Sequence, residues 1–176
     1  QAILAVTFTN KAAREMQTRL AAMVPVNIRG MWIGTFHGLC NRLLRAHHRE
    51  AGLPAQFQIL DVGDQLSAIK RLAKKLAFDD EKFPPQQLLH FINANKERGR
   101  RAAQTEAYDP PTRRRVEFYA EYESQCQREG VVDFAELLLR SYELLQRNEP
   151  LCHHYQARFR HILVDEFQDT NRLQYA

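Results

Sequence analysis

HILVDEFQDT, residues 161–170, runs apolar through Ile162, Leu163 and Val164 and then stops in two adjacent acids, Asp165 and Glu166. The apolar part reads as a short buried strand. Ligands of open α/β sheets gather at the carboxyl ends of such strands, and two carboxylates at that point suggest a metal ion. In enzymes that hydrolyse nucleotides over a phosphate-cradling loop, an acid in this place holds Mg2+ against the β- and γ-phosphates. No GxxxxGK[ST] loop occurs in the 176 residues. Taken without its neighbours, the acid pair also fits a capped turn at a strand end.

Two further segments share this texture, AILAVTF at residues 2–8 and MWIGTF at residues 31–36. Each is short, apolar and rich in β-branched or aromatic residues, and polar residues and a helical pattern follow it. The three segments read as parallel strands. More than a hundred residues between the second and third carry helical signals and almost no strand signals, so they read as a helical insertion. The fold class expected is α/β and predominantly helical.

Within the insertion, Leu39, Leu43 and Leu44 begin an amphipathic helix that Gly52 and Pro54 should end. Asp61 can cap a second helix, with Asp64 a competing start, carrying Leu66, Ile69, Leu72 and Leu76 on one face. Pro84 and Pro85 open a third, closed by Gly99. RGRRAAQTEAYDPP, residues 98–111, reads as a basic loop and the segment most prone to move. A fourth helix carries Val116, Tyr119, Tyr122 and Cys126 up to Gly130. Asp133 with Glu136 makes an Asp version of the capping box, leading Phe134, Leu137, Leu138 and Leu145 along a buried face.

A length of 176 residues allows one ordinary domain, or a small domain with a large insertion. The hydrophobic content of 44% and charged content of 26% are those of a globular protein. No apolar run approaches the roughly 18 residues of a membrane span, and no signal peptide precedes the first strand, so a cytoplasmic protein is expected. Cys40, Cys126 and Cys152 suit reduced core thiols better than a disulfide framework. The net charge is +4, from 25 basic and 21 acidic residues, which permits an anionic partner without requiring one. The basic runs KRLAKK, KERGRR and RRR have acidic neighbours and fit solvated helix faces as well as phosphate contacts.

VTFTNKAAREM and IGTFHGLCNRLL both run from strand through Thr-Phe into a helix. They place Thr7, Phe8, Thr9 and Asn10, and Thr35, Phe36, His37 and Gly38, on the same sheet edge as Asp165. A base can stack on an aromatic ring, and a phosphate can accept from hydroxyls and helix-start amides. The alternative is an ordinary strand-to-helix turn with both phenylalanines in the core and His37 capping its helix or lying in solvent.

TFTNKAAREM, GTFHGL and VDEFQDTN, in that order, resemble the UvrD/Rep-type superfamily-one DNA helicases, and VVDFAELLLR is similar to a segment those proteins carry where their helical insertion ends. The resemblance spans essentially the whole chain. It implies a partial RecA-like parallel sheet, residues 1–38 and 160–176, interrupted by an all-helical subdomain over residues 39–159. It implies a phosphate loop upstream of Gln1, so that the chain is an excised part of a larger motor. It further implies that Asp165 holds Mg2+, that Glu166 shares the metal site and polarises the attacking water, and that Gln168 senses the nucleotide. Phe8, Thr9, Asn10 and Lys11 with Thr35, Phe36, His37 and Gly38 correspond to a track for single-stranded DNA. ATP and Mg2+ are the implied cofactors, and single-stranded DNA, single/double-strand junctions and repair or replication proteins the implied partners. The implied setting is a bacterial-type cytoplasm, near the nucleoid. The same residues leave open a helicase fused to a nuclease and a non-catalytic nucleic-acid- or protein-binding module.

Overall fold

The computed structural model describes residues 2–25 and 27–176. Its first strand, β1 (Ile3–Thr7), is central in a three-stranded parallel sheet of order β2-β1-β5. β2 (Trp32–Thr35) pairs on one side, with Thr7 opposite Thr35, and β5 (His161–Val164) on the other, with Val6 opposite Val164. The central position buries Ala5, Val6 and Thr7, whereas the edge strand leaves Ile162 and Leu163 62% and 57% exposed. Between β1 and β2 runs α1 (Asn10–Met23), and α2 (Phe36–Ala46) follows β2 directly.

The expected insertion contains α3 (Val62–Lys75), α4 (Pro85–Glu97), α5 (Pro110–Glu129), α6 (Phe134–Arg147) and α7 (Glu149–Arg158). It is not wholly helical. β3 (Gln58–Leu60) and β4 (Val131–Asp133) form a two-stranded parallel sheet inside it. Each has three residues, too few to display an alternating pattern, and their pairing joins segments far apart in sequence. The observed class is therefore helix-rich α/β with a small parallel sheet.

The helix ends follow from local chemistry. Asp61 accepts the Asp64 amide at 2.8 Å, which settles the start of α3 in favour of Asp61. Asp109 caps α5 through the Thr112 amide at 2.9 Å, and Gly130 ends it with φ +65°, a conformation that strains residues bearing a Cβ. A Cβ at Gly130 would also come within 2.9 Å of Pro54, so glycine is required twice over. Helix α2 starts three residues before the first leucine of its apolar stripe, because Thr35 caps it by accepting the Gly38 amide at 3.2 Å.

Two apolar clusters make most of the core. One joins Ile69, Leu72, Leu88, Ile92, Phe118 and Tyr119 from α3, α4 and α5. The other joins Trp32 of the sheet to Leu43, Leu44, Leu137 and Leu144 of α2 and α6. Each fully buried side chain of this size contributes about 1.5–3 kcal/mol relative to its exposed state. The 98–111 loop is tied down at its start: Arg101 bonds Glu136 through both terminal nitrogens at 2.8 Å and Glu143 through Nε at 2.7 Å, and Ala102 is buried. The expected mobile loop is thus anchored by its own arginine.

Candidate functional site

Parallel pairing brings three strand ends to one edge. Beyond the Thr7–Thr35 pair, β1 and β2 lead into Phe8-Thr9 and Phe36-His37, while the Asp165 amide donates to the Val6 carbonyl at 3.0 Å and carries β5 one residue further. The residues expected to act together are therefore brought to one sheet edge by backbone hydrogen bonds.

The side chains divide their roles. Thr7 is fully buried and its hydroxyl donates to the Thr9 carbonyl at 3.1 Å, which fixes the turn out of β1. Thr9 and Thr35 cap α1 and α2, so their hydroxyl oxygens accept main-chain amides. Gly38 supplies one of those amides, and a Cβ there would press on Thr35 Oγ1 at 3.2 Å. Phe8 and Phe36 are half-buried and touch at a ring separation of 5.5 Å. Phe36 also packs against Leu138, Leu139 and Leu173, so it belongs partly to the core. Asn10 and Lys11 are exposed in the first turn of α1.

His37 is half-buried, and burial holds its pKa below the usual 6.5, which favours neutral imidazole. Its ring lies edge-on to Phe134 at 5.6 Å. Phe134, expected on the buried face of α6, is instead 40% exposed. It is the first residue of that helix, where the inner stripe has not yet begun. Phe134 was legible as an aromatic beside a cap, but its contact with His37 at the start of α2 was not.

Asp165, Glu166 and Gln168 are exposed at the end of β5. Glu166 has φ +53°, the left-handed region, which costs a residue with a side chain about 1–2 kcal/mol. The kink turns the chain into the 3-10 turn Phe167–Asp169. Among the described residues neither the Asp165 nor the Glu166 carboxylate has a hydrogen bond or ion pair. Those residues include no group of three or more His, Cys, Asp and Glu arranged to hold a metal. Two free carboxylates nonetheless fit Mg2+, which takes one or two protein oxygens and completes its shell with phosphates and water.

A helix-rich α/β chain with Thr-Phe turns and an acid pair at the carboxyl ends of a parallel sheet belongs to the class of α/β domains whose ligands gather at those strand ends. Over residues 1–176 the sequence matches the UvrD/REP helicase N-terminal domain, and the chain belongs to that family. It is 50% identical to DNA helicase II of Escherichia coli K12 over 175 residues, 99% of this chain and 24% of that protein. It is 52% identical to DNA helicase II of Haemophilus influenzae over 178 residues, 98% of this chain and 24% of that protein. It is also 37% identical to the ATP-dependent DNA helicase PcrA of Bacillus subtilis over 183 residues, with coverage of 98% and 24%. The chain spans about a quarter of the length of these relatives.

Proposed function

We propose that the chain is the part of an ATP-dependent DNA helicase that couples a nucleotide site to a grip on single-stranded DNA. The observation that carries this is the register of β1, β2 and β5, which sets Phe8, Phe36 and His37 on the same edge as Asp165 and Glu166. The names of the relatives, DNA helicase II and ATP-dependent DNA helicase, support it. On this reading residues 1–38 and 160–176 are parts of a RecA-like motor sheet, and residues 39–159 are its inserted subdomain.

Asp165 and Glu166 would hold Mg2+, which when bound neutralises charge on the β- and γ-phosphates. Glu166, whose carboxylate is unpaired among the described residues, would orient the attacking water and take its proton. Gln168, on the turn that follows, would register the nucleotide. Lys11 meets the DNA backbone, while Phe8 and Phe36 offer ring surface and Thr9, Asn10, Thr35, His37 and Gly38 offer polar groups. Because grip and nucleotide share one sheet edge, hydrolysis can shift the hold on the strand. Single/double-strand junctions, repair or replication proteins and a cytoplasmic, nucleoid-associated setting follow from the same reading.

The test is Glu166→Gln in a protein that carries this chain together with a phosphate-binding loop. ATP binding should stay within about twofold while DNA-stimulated turnover falls about a hundredfold or more, as loss of a general base requires. Turnover unchanged by Glu166→Gln overturns the assignment.

A further inference from the structure

The carboxylate of Asp133 is committed on both oxygens. Oδ1 accepts the Glu136 amide at 2.7 Å and so caps α6. Oδ2 accepts from Lys96 Nζ at 2.7 Å, Tyr122 Oη at 2.8 Å and Gln65 Nε2 at 3.1 Å. Those three donors come from α4, α5 and α3, so the whole helical cluster converges on the residue that immediately precedes Phe134. Lys96 also reaches Glu136 Oε2 at 2.9 Å, two residues beyond Phe134. Gln65 is held in turn by Asn93 at 2.8 Å. The nucleotide reading uses none of these buried groups, yet they bracket Phe134, the exposed aromatic that touches His37.

We propose that Lys96 is a positioning residue: through Asp133 it fixes the first turn of α6 and holds the exposed ring of Phe134 against His37 at the DNA-facing edge. Asp133 keeps three donors when Lys96 is removed, but among the described residues it loses the one cation on Oδ2 and is left an uncompensated charge in a dry site, which loosens its hold on the first turn of α6. This inference rests on the reading of that edge as a single-stranded DNA site.

The experiment is oligo-dT binding by fluorescence anisotropy on the full 176-residue chain, with the folded state checked by circular dichroism. Phe134→Ala should weaken binding about fivefold or more, the lower end of one lost stacking platform. Lys96→Met should weaken it about threefold or more in the native background, yet less than about twofold when Phe134→Ala is already present, because coupled residues are not additive. Tyr122→Phe, which keeps the core ring and removes one donor to the same oxygen, should act in the same direction and vanish in the same background. It serves if Lys96→Met does not fold. Equal weakening with and without the Phe134 ring means a general loss of fold and overturns the positioning role. So does wild-type binding by both donor variants, or by Phe134→Ala alone, while His37→Ala still weakens binding. Wild-type binding by both His37→Ala and Phe134→Ala overturns the site reading itself.

Discussion

Lys96 Nζ lies 2.7 Å from Asp133 Oδ2, and the two side chains are only 2% and 1% exposed. Desolvation of both ions opposes such a pair, so its value lies less in net stability than in what happens when one partner is lost. Lys96→Met should destabilise the chain by about 3–5 kcal/mol, because Asp133 keeps its charge in a dry site. The exposed Arg19–Glu15 pair on α1 is a control that should be worth under about 1 kcal/mol. Urea unfolding of Lys96→Met and Glu15→Ala checks the contrast.

The same cluster sets a pH window. Burial alone would raise the pKa of Glu136, but the charges of Lys96, Arg101 and Arg140 outweigh it and hold the carboxyl well below its usual 4.5. The stability it contributes is present above 4.5 and is lost as pH falls toward the folded value. Burial would lower the pKa of Lys96, but Asp133 and Glu136 keep the ammonium above its usual 10.5. Its contribution is complete below 10.5 and is lost as pH rises through the folded value. Midpoints of thermal unfolding should therefore fall on the acid side of 4.5, and Glu136→Gln should flatten that fall.

Protection against hydrogen exchange should follow burial and pairing. Ile92 and Leu139 are fully buried within helices, and Ala5 is buried in a strand paired on both sides. Leu163 is 57% exposed on a strand bonded on one side only, among the described residues. Amides of the α3–α5 cluster should exchange most slowly, Ala5 more slowly than Leu163, and Leu163 fastest of the set. Equal protection of Leu163 and Ile92 would show that the sheet and the helical cluster open as one unit.

What the sequence revealed was local, and what it hid was long-range. The cap at Asp61, the glycine stop at Gly130 and the cap at Asp133 all depend on neighbours within a few residues, and each stands as read. The capping box at Asp133 is half there: Glu136 donates its amide to Asp133 but sends its carboxylate to Lys96, Arg101 and Arg140 instead of back to the cap. No local pattern could announce that choice, because the partners lie on other elements. The strands β3 and β4 were hidden for the same reason. At the candidate site the three motifs were legible in order, whereas the contact of His37 with Phe134 needed the fold.

The last prediction concerns His37 and Phe36, which the structure places differently. Phe36 packs on Phe8, Leu138, Leu139 and Leu173, so Phe36→Ala removes core contacts as well as any stacking surface. Its effect on oligo-dT affinity should come with a loss of stability of about 3 kcal/mol, the low end for truncating a phenylalanine in a core. His37 touches Phe134 at the edge, and His37→Ala should weaken binding about fivefold with little change in urea midpoint, since a lost stacking platform is worth roughly 1–3 kcal/mol. Salt separates the two kinds of contact. If the edge neutralises about three phosphates, log affinity falls with log salt at a slope near −2, from about −0.7 per phosphate. Removing a neutral imidazole should leave that slope in place, whereas Lys11→Ala should make it shallower by about 0.7. Anisotropy titrations of the three variants across a salt series give both numbers. A slope changed by His37→Ala and untouched by Lys11→Ala would reverse the roles assigned to these two residues.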